Sequence, residues 1–137
     1  MELREITAGE IMSTDLTTTL PQEKLSIAEI MMLKKNVGGL PVVNEKKELV
    51  GIITQRDIQF AKFSGIGVGE KVFKVDDLMT KNPIVCKPND KLPVIVKKMN
   101  QHNIERIPIV DDGNRLVGIV VMKDIIHTLN NALESGI

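Results

Sequence analysis

Apolar and polar positions fall into two rhythms along this chain, one of helical and one of strand spacing, and their order occurs twice. From Leu25 to Asn36, apolar Ile27, Ile30 and Met31 recur at helical spacing and Lys34 and Lys35 close the last turn, where cations favour the helix dipole. This predicts an amphipathic helix ended by Gly38 and Gly39. Leu40 to Val43, entered through Pro41, and the unbroken apolar run Leu49 to Ile53 predict strands, the second buried on both faces. The polar turn from Asn44 to Glu48 is too short for a crossover helix, so these strands form a hairpin. Thr17 to Leu20 predicts a short strand stopped by Pro21, and a helix opens at Thr54 and runs to Phe63. Ahead of them, Thr7 and Glu10 are spaced as a capping box that opens a short helix.

The same order then returns. A strand at Ile84 to Lys87 leads to a helix from Leu92 to His102; strands at Ile107 to Val110 and Leu116 to Val120 flank the turn Asp111 to Asn114; a last helix runs from Met122 to Leu133. Residues 11–58 overlay 78–125 at a constant offset of 67, and 14 of the 48 aligned positions are identical. Chance alone gives about three. The shared residues shape backbone: Pro21 with Pro88, Asn36 with Asn103, Pro41 with Pro108, Gly51 with Gly118, Asp57 with Asp124. The fold class is therefore α+β, built from two β-α-β-β-α units at residues 7–64 and 74–133 with a linker at 65–73. A unit of roughly 60 residues is marginal by itself, so the halves are expected to pack face to face about a pseudo-twofold axis as one module, with two equivalent clefts.

Charge and composition narrow the function. Lys plus Arg and Asp plus Glu number 18 each, so no basic field draws the chain onto nucleic acid, and with three Phe and no Tyr or Trp it lacks stacking platforms for bases. A single cysteine, Cys86, fits a reducing compartment and is expected to be a buried strand residue. The charged N-terminus holds no secretory segment, and the longest apolar run, Leu116 to Met122, is too short to cross a bilayer, so a cytoplasmic protein is expected. No P-loop and no nucleophile-base set stands in recognisable context, which argues against an enzyme.

Candidate chemistry sits where a strand passes into a helix. Gly51-Ile52-Ile53-Thr54-Gln55-Arg56-Asp57 and Gly118-Ile119-Val120-Val121-Met122-Lys123-Asp124 each place an acid in the first helical turn. A hydroxyl and a carboxylate three residues apart can cap backbone N–H groups, and the same pair can receive a sugar diol while the helix N-terminus favours phosphate. Both readings stay open on one copy; the second copy keeps the acid and replaces the hydroxyl by Val121.

These residues, with the aliphatic-Pro-aliphatic steps Leu40-Pro41-Val42 and Ile107-Pro108-Ile109, resemble a tandem pair of cystathionine β-synthase (CBS) domains, a Bateman module, over about residues 7–130. The resemblance implies a stand-alone regulatory sensor for AMP, ADP, ATP or S-adenosylmethionine, with no catalytic cofactor and no metal. It also implies a homodimer of two pairs and an effector protein that reads the bound state. It places Thr54, Arg56 and Asp57 with Met79, Ile84, Ile104 and Glu105 in one site, and Val121, Lys123 and Asp124 with Met12, Thr17, Val37 and Gly38 in its twin. Arg106 falls at a phosphate-contacting position. Within this resemblance the Thr54 site, which keeps the full motif, is favoured over the Val121 site. The rival reading is a dimerising adaptor with vestigial clefts.

Three further signals carry less. Gly65, Gly67 and Gly69 follow a helix rather than join strand to helix, so they read as linker. His102 and His127 stand 25 residues apart without companions for a zinc site, and Asp111 to Asn114 reads as a hairpin turn.

Overall fold

In a computed structural model the described residues are 2–64 and 72–136, so the expected glycine linker at Gly65, Gly67 and Gly69 lies outside them. The elements are a 3-10 turn at Leu3–Glu5, α1 (Ala8–Ile11), α2 (Leu25–Lys35), β1 (Gly39–Val43), β2 (Leu49–Thr54) and α3 (Gln55–Phe63). They continue with α4 (Val75–Leu78), β3 (Thr80–Lys81), α5 (Leu92–His102), β4 (Arg106–Val110), β5 (Leu116–Val121) and α6 (Met122–Glu134). Two compact units emerge: Thr17–Pro83, and the segment up to Leu16 together with the chain from Ile84 onward.

Each unit is completed by a segment that opens the other repeat in the sequence. In the unit Thr17–Pro83, β1 and β2 form an antiparallel hairpin and β3 adds to β2, pairing Gly51 with Lys81 and Ile52 with Thr80. In the other, β4 and β5 form the matching hairpin and Ser13 bridges Ile119. The helices just before these edge residues, α4 and α1, stand 67 positions apart. Lys74 N donates to Asp77 Oδ2 at 2.9 Å and Thr7 N to Glu10 Oε1 at 3.2 Å, so the capping expected at Thr7 recurs at Lys74, which the sequence reading had not marked.

The cores are aliphatic, as the missing aromatics require. Ala28, Met32, Leu40, Val42, Ile53, Ile58 and Val75 form one, and Ala8, Cys86, Leu92, Ile95, Met99, Ile107, Ile109, Val120 and Ile125 the other. In α2 the expected inward face is corrected: Ala28 and Met32 are fully buried, while Ile27 and Ile30 are 39% and 46% exposed. The helix is apolar around most of its circumference, so spacing alone did not identify the face that packs. Its end is corrected too. Asn36 at φ 53° and Asn103 at φ 52° close α2 and α5 in the left-handed conformation that asparagine tolerates, and Gly39 already belongs to β1.

The strands expected at Thr17–Leu20 and Ile84–Lys87 reduce to single parallel bridges, Thr19 to Val42 and Cys86 to Ile109. Proline follows closely in each case, at Pro21 and Pro88, and limits further pairing. The run expected to be buried on both faces, Leu49 to Ile53, is buried at all but Val50, whereas its counterpart β5 alternates, with Val117, Ile119 and Val121 half-buried.

Thr19 and Cys86 occupy equivalent places in the two copies. Burial pushes the Cys86 thiol up from 9.0 to about 11, with the nearby Lys98 charge opposing, so it stays protonated and inert at neutral pH. Thr19 is 5% exposed and its Oγ1 has no hydrogen-bond partner among the described residues. A buried hydroxyl without a partner costs about 1–3 kcal/mol. Thr19→Val is therefore expected to raise the unfolding free energy by about 1 kcal/mol in urea melts; a loss of that size would show that the hydroxyl is satisfied.

Candidate functional site

Strand passes into helix without an intervening loop at two corners, β2 into α3 and β5 into α6. Thr54 and Val121 keep extended backbones (φ −122° and −110°) as the last strand residue and the N-cap at once. The turn of direction leaves first-turn N–H groups to be satisfied, and the acids at Asp57 and Asp124 stand where they reach back to the corner.

At the first corner Asp57 Oδ2 accepts from Thr54 N and from Thr54 Oγ1, both at 2.9 Å, while Asp57 N donates to Thr54 Oγ1 at 3.1 Å. The single hydroxyl proton of Thr54 is thus spent on Asp57, and toward a ligand this hydroxyl can only accept. Gln55 N donates to Gly38 O at 2.9 Å, and Gly39 is the cross-strand partner of Thr54, so Val37 and Gly38 lie against the helix start. Arg56 is exposed on α3 and makes no ion pair among the described residues.

The second corner repeats this main-chain pattern with one bond removed. Val121 N donates to Asp124 Oδ2 at 2.8 Å, Met122 N donates to Glu105 O at 2.8 Å, and Arg106 is the cross-strand partner of Val121. With no hydroxyl at Val121, Asp124 N has no side-chain cap. At both corners the second carboxylate oxygen, Oδ1, has no partner among the described residues. A half-buried carboxylate held at one oxygen and open at the other can receive the hydroxyls of a vicinal diol without reorganising.

Both expected methionines sit beside these corners. A side chain at Gly51 would meet Met79 Sδ at 2.6 Å and Thr80 O at 2.9 Å, and one at Gly118 would meet Met12 Cγ at 2.7 Å. Glycine is required there so that the edge segment carrying the methionine can lie flat on the strand.

Both expected sets draw on both compact units. In the set built on Asp57, Thr54, Arg56 and Met79 share its unit, whereas Ile84, Ile104 and Glu105 belong to the other. In the set built on Asp124, Val121, Lys123 and Met12 share its unit, whereas Thr17, Val37 and Gly38 do not. Inside each unit the main-chain neighbours of the corner come from its own hairpin, Val37 and Gly38 for Asp57, Glu105 and Arg106 for Asp124. Thr17 and Ile84 are half-buried two residues before the bridges at Thr19 and Cys86; Lys123 and Glu105 are exposed. Sequence reading passed over Gln55, whose main chain ties the corner to Gly38; the signal available was its place between hydroxyl and acid.

Residues 8–63 and 75–131 each match the family model described as the CBS domain. Inosine-5'-monophosphate dehydrogenase of Methanocaldococcus jannaschii is 36% identical over 119 residues, which span 87% of this chain and 23% of that enzyme. The chain thus covers less than a quarter of this relative's length. Among solved structures, the CBS domain pair of protein MJ0100 in complex with 5'-methylthioadenosine and S-adenosyl-L-methionine superposes with a TM-score of 0.83 at 31% identity, covering 92% of this chain and 97% of that one. CBSX2 in complex with AMP superposes at 0.80 with 25% identity, covering 93% and 98%.

The two corners differ by one hydroxyl, and that difference is measurable. Thr54→Val is expected to lower stability by about 1 kcal/mol and Val121→Thr to raise it by a similar amount, read from denaturant midpoints. No response at either position would mean that the caps do not hold the corners.

Proposed function

The chain belongs to the CBS domain family, and from that premise we propose that it is a regulatory module for adenosine-containing ligands, AMP, ADP, ATP or S-adenosylmethionine. The observation that carries this reading is the doubled corner, a carboxylate fixed by one oxygen to its own backbone and open at the other. A ribose offers the matching vicinal diol. Asp57 and Asp124 are assigned the ribose hydroxyls, and Thr54 the role of an acceptor that also steadies Asp57. Arg56, Arg106 and Lys123 are the cations available to phosphate. Glu105 disfavours a dense phosphate charge near Arg106, which leaves AMP and the adenosyl sulfonium on equal terms with ATP. Neighbours that hold adenosine compounds support the ligand class. The dehydrogenase chemistry of longer relatives is not carried over, and no catalytic role is assigned.

Signalling requires a second copy or an effector that reads the bound state, because a ligand shifts two states only by its differential affinity for them. Apolar side chains left exposed favour a second copy: on α6, Ile126 at 59% and Leu133 at 72%, and on α3, Phe60 at 72% and Phe63 at 93%. The same faces are what the rival reading, a dimerising adaptor without ligand, would use. Sedimentation is expected to find a dimer that Leu133→Glu dissociates; a monomeric parent chain would remove this part of the proposal.

Ligand separates the two readings. Thermal melting with millimolar AMP, ADP, ATP and S-adenosylmethionine is expected to give stabilisation by at least one of them, about 2.7 kcal/mol when it stands at 100 times its dissociation constant. Asp57→Asn and Asp124→Asn are expected to abolish the shift between them. A chain that responds to none of the four, or a double variant that still responds, leaves the adaptor.

A further inference from the structure

Starting at the second corner and running away from it, a half-open groove of about 440 Å³ lies within a single unit, between α1 and α6. This is the size of a small-molecule site. Its lining includes apolar Ile6, Ile11 and Ala132, and it follows α6 from Asp124 to the helix end at Glu134 and the capping Ser135. Eleven residues of helix give a channel about 16 Å long.

Its charge is one-sided. Among the described residues no lysine or arginine lines it, and His127 is the only base there, against the carboxylates of Glu10 and Asp124. Each carboxylate has one oxygen occupied by capping: Asp124 Oδ2 accepts from Val121 N at 2.8 Å, and Glu10 Oε1 accepts from Thr7 N at 3.2 Å and Thr7 Oγ1 at 3.1 Å. The second oxygens, Asp124 Oδ1 and Glu10 Oε2, have no partner among the described residues. At the far end of the channel the last turn of α6 holds no basic residue, which leaves the negative end of its dipole uncompensated.

An anion is disfavoured along this whole length. A divalent metal is disfavoured too, since no group of three His, Cys, Asp or Glu converges among the described residues. What fits is a long, flexible cation with an aliphatic body, its methylenes against Ile6, Ile11 and Ala132 and its ammonium groups at the two ends. We propose that the α1–α6 groove binds a linear aliphatic polyamine. The proposal does not rest on the adenosine reading, but the two sites share Asp124, so the test avoids that residue.

Titration calorimetry of the full chain with spermidine, in about 0.1 M salt to screen loose surface charge, is expected to give saturable one-site binding. Asn131→Arg, a change at an exposed lining residue, is expected to weaken it about tenfold or more by like-charge repulsion. Asn100→Arg, the same change on exposed α5, is expected to leave it intact, and magnesium chloride to show no saturation. Circular dichroism confirms that each variant is folded; should Asn131→Arg not fold, Ser135→Arg takes its place. Absence of saturable spermidine binding, unchanged affinity in the groove variant, or equal binding of magnesium overturns the proposal.

Discussion

A carboxylate in the first turn of a helix, reaching back to the last residue of the strand before it, is the constraint on which both halves of this protein depend. Without a loop between strand and helix, the chain must change direction within one residue. Asp57 and Asp124 make this possible by accepting the N–H of Thr54 and Val121 at 2.9 and 2.8 Å. Main-chain bonds from Gln55 to Gly38 and from Met122 to Glu105 tie each corner to its own hairpin. The same acids that define the fold therefore present their second oxygen to whatever approaches the helix start. Structure and proposed binding share one group, so a substitution there moves both, and its effect on ligand must be read against its effect on stability.

A second constraint follows from the way the units are completed. Met79 lies on Gly51 and Met12 near Gly118, and the edge segments carrying those methionines each open, in the sequence, the repeat to which they do not belong in space. The chain therefore cannot be divided at the repeat boundary without removing an edge segment and a short helix from each unit. Glycine in the motif serves this packing, while the acid three residues into the helix serves the corner.

Much of this was legible in the sequence. Helix, hairpin and helix appeared in the right order because the repeat at an offset of 67 doubled every local signal, and α5 ran from Leu92 to His102 as expected. The face of α2 was misread because a helix apolar on most sides gives no moment to follow, and the packing of Ala28 and Met32 is decided by the β1–β2 hairpin rather than by local spacing. The cap of α2 was hidden because Asn36 in a left-handed turn does the work assigned to Gly38 and Gly39. The exchanged segments α1 and α4 were not legible at all, since which unit a short helix joins is a matter of long-range contact. At the candidate site the residue types were legible, but the direction of the Thr54 hydroxyl proton, toward Asp57, required coordinates.

A crystal structure grown with AMP or S-adenosylmethionine tests the central claim most directly. The account requires the ribose hydroxyls on Asp57 or Asp124, at the oxygen left open in the free chain, with the bond from the Thr54 or Val121 N–H to the same carboxylate intact. An adenosine bound away from both acids, or a corner whose cap has opened to receive it, would contradict the claim that one carboxylate serves fold and ligand together.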